Sequence, residues 1–190
     1  MLTPEQVKHL LSAARGDRYE CAYVLAAVCG LRTSEIAAIR WEDVDVQSGT
    51  LKIRRSVWRG QLQPTKTNSS RRTLKLRKLA IDALEGYHGK KDDSECLLST
   101  RNGNPVDATN LHYPWKKLLR TAELPESTTL HSLRHGAASF LLSQRVPIPV
   151  VSEYLGHSNS SITLKVYAHM INDEDGLAGN AMDNVLGESL

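Results

Sequence analysis

The stretch HSLRHGAASFLLSQRVPIPVVSEYLGHSNSSITLKVYAHM, His131 to Met170, governs how the rest of the chain is read. Leu133, Ala137, Phe140 and Leu141 recur at helical spacing, and Val146-Pro147-Ile148-Pro149 breaks the run. A short helix over Val150 to Leu155 follows and is ended by Gly156. Ser158 to Ser161 then reads as the cap of another helix, with Tyr167 in its last turns. Set among these helices are two imidazoles, a guanidinium and a phenol: His131, His157, Arg134 and Tyr167. His131 and Arg134 stand three residues apart near a helix N-terminus, where the backbone dipole also favours negative charge. Both could reach one anion there, while His135 is expected to point elsewhere. The set suggests chemistry on a phosphate.

Upstream, Thr3-Pro4-Glu5-Gln6 carries the signature of a capped helix start, with Val7, Leu10, Leu11 and Ala14 on one face and Gly16 as the stop. A buried helix over Asp17 to Cys29 ends at Gly30. Leu31 to Glu35 turns into a third helix through Ile36, Ala37 and Ile39, capped by Thr33 or Ser34. Arg32 at that junction has two readings, an exposed arginine or an anion clamp oriented by Glu35. The period then changes. Thr50 to Arg54 and Arg72 to Leu76 alternate apolar and polar residues, which predicts two antiparallel strands with one basic face each, joined by a mobile loop that carries Lys66. Leu79 to His88 reads as a helix, Gly89 to Glu95 as a charged turn, Cys96 to Ser99 as a short strand and Arg101 to Pro105 as a turn. The helix around Pro114 to Ala122 either starts at that proline or is kinked by it. A last helix presents Ala178, Met182 and Val185 on one face. The pattern is mainly α with a small antiparallel β-sheet, an α+β class.

The 190 residues suffice for one domain with a small appendage. No apolar run approaches the roughly 18 residues of a membrane span, and Met1 leads into a capped helix rather than a signal peptide, so a cytoplasmic protein is expected. Cys21, Cys29 and Cys96 lack metal-ligand spacing and read as buried thiols. Net charge is only +3, but residues 171–190 hold five acids and no Lys or Arg, which leaves 24 basic against 16 acidic residues before them. Leu51 to Lys78 has ten Lys or Arg and no acid. Such a run is either a solvated face or a surface for nucleic acid, with Arg54, Arg55, Arg59, Arg71 and Arg72 as its candidate contacts.

Two arginines, two histidines, a lysine and a tyrosine supply what transesterification of a phosphodiester needs. Guanidiniums neutralise the non-bridging oxygens, an imidazole manages the proton of the phenol, and a lysine can protonate the departing oxygen. These residues also carry a resemblance. GLRTSEIAAIRWEDVD, PTKTNSSRRTLKL, HSLRHGAASFLL and LGHSNSSITLKVYAHM, in this order from Gly30 to Met170, resemble the motifs of the tyrosine recombinase, or phage integrase, catalytic domain.

The resemblance implies that fold for residues 1–170, and a function: site-specific cleavage and rejoining of double-stranded DNA through a 3′-phosphotyrosine, to integrate or excise a phage or other mobile element. Arg32 and Arg134 would clamp the scissile phosphate and His157 would donate to it. His131 would act as base, Lys66 as general acid and Tyr167 as nucleophile, with Glu35 supporting Arg32. No metal, ATP or other cofactor is implied. Many members carry Asp where this chain has Ser132, expected to be a helix cap, where either residue serves. Members usually bear a separate N-terminal core-binding domain. Its absence here fits an excised catalytic domain, the favoured reading, or a naturally short recombinase. Residues 171–190 would form a tail helix that docks on a neighbouring subunit of a homotetramer on DNA or packs in cis, and an isolated domain could be monomeric. The competing readings are a non-cutting DNA-binding module of the same fold and a topoisomerase-like enzyme that uses a tyrosine.

Overall fold

The structure, a computed structural model, describes residues 2–65, 70–88, 95–100 and 103–168, apart from the side chains of His88, Ala108 and Tyr167. Lys66, most of the charged turn, Arg101 and Asn102, and residues 171–190 with their expected tail helix lie outside the described residues. Helix α1 (Pro4–Ala13) starts as its sequence predicts. Thr3 and Gln6 exchange backbone-to-side-chain hydrogen bonds at 3.2 and 2.9 Å, which satisfies two amide groups that a helix start would leave open. Helix α2 (Glu20–Val28) is the centre of the fold. Its residues Cys21 to Ala26 are all buried, and it packs against α1, α4 (Lys78–His88) and α6 (Leu130–Ser143).

Helix α3 (Thr33–Ile36) is a single turn, shorter than expected, and its N-cap is Arg32 rather than Thr33 or Ser34. Strand β2 (Thr50–Ile53) pairs antiparallel with β5 (Arg72–Lys75), Thr50 opposite Lys75 and Ile53 opposite Arg72, and with the two-residue β1 (Val44–Asp45) on its other edge. Leu51, Ile53 and Leu74 are buried against the helices, so alternation does set which face is inside. The basic tract between β2 and β5 is not all loop. Strands β3 (Arg55–Trp58) and β4 (Gln61–Pro64) form a separate hairpin, pinned where Val57 and Leu62 pack on Ala37 and Ala38. Cys96 and Ser99 make isolated bridges to Arg40 and Pro105 rather than a strand.

Helix α5 (His112–Thr121) has Pro114 in its first turn, after a 3₁₀ turn over Ala108–Leu111. Helix α7 (Ile148–Leu155) packs on α6 and α8 (Ser161–Ala168) through Ala138, Leu142, Val151, Leu155 and Val166. The cap of α6 is Thr129, not Ser132. Ser132 stands at the third helical position and accepts the Thr129 amide at 3.2 Å, a place where an aspartate would serve equally. The three cysteines are buried and form no disulfide among the described residues, and burial pushes the Cys21 thiol up to about 12 and that of Cys29 to about 11. Among the described residues no helix is long and apolar enough to cross a membrane.

Candidate active site

Two left-handed glycines frame the site. Gly30, just past α2, has φ +61°, and Gly156, the C-cap of α7, has φ +66°. Neither position has room for a side chain. A Cβ on Gly30 would strike Leu155 Cδ2, and one on Gly156 would lie 2.6 Å from Arg72 Nη1. Each glycine offers its carbonyl to an arginine. Arg134 Nη1 donates to Gly30 O at 2.6 Å, and Arg32 Nη2 donates to Gly156 O at 3.0 Å. Arg134, on the second turn of α6, is buried, and its Nη2 has no hydrogen-bond partner among the described residues. Burial, with Arg32 close by, pulls its pKa down to about 9, so it stays charged at neutral pH.

Glu35 is the carboxylate that holds these charges. It is 3 % exposed and accepts from the Arg32 amide at 3.0 Å, from Arg32 Nη1 at 2.8 Å, and from Arg72 Nη1 and Nη2 at 3.1 Å each. Burial works to raise its pKa. The hydrogen bonds and charge of Arg72, then those of Arg32, outweigh that and hold it below the usual carboxylate value.

Arg72 was expected to face DNA, and here the structure differs. Its side chain is only 6 % exposed, and Nε donates to Tyr154 O at 3.0 Å while the two Nη atoms grip Glu35. The reason is strand register: Arg72 lies opposite buried Ile53 and two residues before buried Leu74, on the inward face of β5. The same alternation in the sequence could have revealed it.

The histidines complete the cluster. His157 follows Gly156 directly, and its Nδ1 lies 2.8 Å from the buried Thr163 Oγ1 on α8. Desolvation, then the charges of Arg134, Arg32 and Arg72, lower its pKa from 6.5 to about 4, so the ring is neutral at pH 7. His131 keeps part of its surface exposed, yet burial of its ring, then His135, Arg134 and Arg32, also lowers its pKa. His135 does not point elsewhere. Its ring meets His131 edge to face, centroids 4.7 Å apart at 87°, as their spacing of one helical turn allows. The described residues therefore bring Arg32, Glu35, His131, Arg134 and His157 together from α3, α6 and the end of α7. Tyr167 stands one turn beyond Thr163 in α8, with its side chain outside the description, as all of Lys66 is.

Arg54, Arg55 and Arg71 line a cleft of about 820 Å³ between the hairpin and the sheet, which Arg72 also borders. Arg55 is tied to Asp43 at 2.8 Å and also to Glu42, and Arg54 lies 3.8 Å from Asp43 with half its side chain exposed. Arg59, at the hairpin tip with φ +51°, has its guanidinium 5.9 Å from the centroid of the Trp58 ring.

Residues 1–174 match the phage integrase family model. The chain belongs to that family. A XerC-like tyrosine recombinase of Caldanaerobacter subterraneus is 29% identical over 194 residues, covering 88% of this chain and 49% of that protein. An integrase of Streptomyces ambofaciens is 31% identical over 206 residues, covering 97% and 53%. The chain thus spans about half the length of the curated relatives it matches. Among solved structures, the Tn1549 transposon integrase in complex with transposon right end DNA matches with a TM-score of 0.84 at 23% identity, over 98% of this chain and 65% of that one. The XerA recombinase matches at 0.76 and 23%, over 96% and 62%. These likenesses establish the fold: mainly helical with a small antiparallel sheet, as in this family.

Proposed function

We propose that this chain is the catalytic part of a site-specific recombinase that cuts and rejoins double-stranded DNA to integrate or excise a mobile element. One observation carries the reading. Arg32 and Arg72 share a single carboxylate, Arg134 and two neutral imidazoles lie beside them, and the buried Arg134 Nη2 has no partner among the described residues. A site with that excess of oriented donors favours a tetrahedral anion.

In the proposed reaction the Tyr167 phenol oxygen attacks the scissile phosphorus, and a neutral His131 takes the phenol proton. Arg32 and Arg134 neutralise the non-bridging oxygens. His157, with Nδ1 accepting from the Thr163 hydroxyl, carries its proton on Nε2 and donates it in a hydrogen bond to the phosphate. The P–O5′ bond breaks, and Lys66 gives the leaving oxygen its proton, which leaves a 3′-phosphotyrosine and a free 5′-hydroxyl. Attack by a 5′-hydroxyl on that linkage reverses the step and rejoins the strands. Because the phosphotyrosine conserves the ester bond, the cycle calls for neither ATP nor a metal. Arg54, Arg59 and Arg71 would meet DNA phosphates, strand exchange would take place in a homotetramer, and the setting would be the cytoplasm of a bacterium or phage-infected host.

A nicked suicide substrate carrying the core site tests this. The wild-type chain should become covalently attached to DNA, and Tyr167→Phe should abolish attachment while DNA binding persists. Attachment by the Phe variant would refute Tyr167 as nucleophile, and binding without any wild-type attachment would favour the non-cutting module.

A further inference from the structure

We propose that Arg72 is a positioning residue for strand transfer, the keystone that sets where Arg32 presents its charge. The inference rests on the recombinase reading above, but its geometry does not. Arg32 is held at two points, the Glu35 carboxylate and the Gly156 carbonyl, and Arg72 reaches the supports of both. Its fork takes each Glu35 oxygen at 3.1 Å, and its Nε takes the Tyr154 carbonyl at 3.0 Å, two residues before Gly156. A closed ring results: Arg32 to Glu35, to Arg72, to the end of α7, and back through Gly156 to Arg32.

Without Arg72 the two supports lose the link that sets them relative to each other. Glu35 sits on α3, a helix of four residues that cannot hold a side chain direction by itself. The last turn of α7 would keep its own cap, the Tyr154 hydroxyl bond to Val28 O at 3.1 Å and the packing of Leu155, but would lose the one side-chain bond among the described residues that ties the Tyr154 carbonyl to the Arg32–Glu35 pair. Gly156 completes the fit, since the space a Cβ would need is filled by the Arg72 guanidinium. Four of the five Arg72 N–H groups are committed within the protein, to Tyr154 O, to both Glu35 oxygens and to Ser70 O, so its guanidinium serves the ring before any anion. A lysine could keep the charge and not the ring, having one ammonium where the guanidinium makes four bonds from a planar fork.

The test uses Arg72→Lys and Glu35→Gln, each confirmed as folded by its unfolding transition. First, in a crystal structure of Arg72→Lys, Arg32 Nη2 should have left Gly156 O. An unmoved Arg32 overturns the proposal. Second, on a phosphodiester suicide substrate the rate of covalent attachment should fall at least about tenfold, since a misplacement of about 1 Å can cost a hundredfold. DNA affinity should change by no more than about twofold. On a methylphosphonate substrate, whose scissile centre lacks the charge that Arg32 offsets, the loss should shrink below about threefold. Glu35→Gln should show the same selective loss, and the double variant should be no slower than the slower single one. Equal losses on both substrates, or affinity falling in step with rate, would overturn the proposal. Failure of the wild-type chain to attach would instead refute the recombinase reading, with the Arg72 inference decided by the first measurement.

Discussion

Arg71 and Arg72 are neighbours in sequence and both border the hairpin cleft, but they differ in what holds their charge. Arg71 is exposed there, beside Arg54 and Arg55, which are partly solvated and lean on Asp43 and Glu42. Arg72 faces inward, where it, Arg32 and Arg134 are held by one carboxylate and by backbone carbonyls. In the cleft the number of charges matters, because each acts on an approaching polyanion through screened water. In the inner cluster their direction matters, because low dielectric enlarges both a well-placed charge and a misplaced one. Counting basic residues finds the first kind of region and misjudges the second.

Four measurements would break or sharpen this contrast. Glu35→Ala should cost about 3 kcal/mol or more in urea unfolding, since it leaves a buried guanidinium unpaired. Glu42→Ala, which removes the half-exposed partner of Arg55, should cost less than about 1 kcal/mol. Similar costs would erase the distinction. Gly156→Ala should lose about 2 kcal/mol or more, combining left-handed strain with the collision against Arg72. Gly60→Ala at the hairpin turn, also left-handed but with its nearest neighbour atom 3.9 Å away, should lose only about 1 kcal/mol.

The pH dependence tests the inner cluster alone. His157 has a folded-state pKa of about 4 against an ordinary 6.5, so the free protein binds this proton less readily than the unfolded chain does. Its contribution to stability should be complete above pH 6.5 and decline as pH falls from there to about 4. The ring resonances should titrate near 4 in the free protein and at a higher pH with DNA bound, because a phosphate offsets the arginine charges. A midpoint near 6.5 without DNA would contradict the closed, positive cluster described here. The smallest effect concerns the cleft. Arg54→Ala or Arg71→Ala should each lower the slope of log affinity against log salt by about one and leave stability unchanged, whereas Arg72→Lys should leave that slope where it is.

Much of this architecture was legible because local signals agreed with the final packing. Thr3 and Gln6 form the expected reciprocal cap, the inner face of β2 and β5 follows strand alternation, and Gly156 ends α7. The hairpin β3–β4 was not legible. Its strands have only Val57 and Leu62 packing inward, too few to show a period among so many polar residues, and their support, Ala37 and Ala38, lies in another part of the chain. The short β1 carries even less signal. In the site, Arg32, Glu35, His131, Arg134 and His157 were all singled out, and the structure brings them together. Arg72 and His135 were misread for a shared reason. Each was judged by its charge or its neighbour in sequence, while its spacing, two residues from Leu74 or four from His131, already placed it on the inner or the shared face.

The two framing glycines bear on how copies of such a gene age. On the proposed reading, a copy could keep its arginines and histidines and still lose their placement if Gly30 or Gly156 had acquired a side chain, because Arg134 and Arg32 bond those two carbonyls and Leu155 or Arg72 would have to give way. An inventory of reactive residues would score that copy as intact. Sorting working copies from relics, on that reading, calls for giving these two backbone positions the same weight as the reactive side chains.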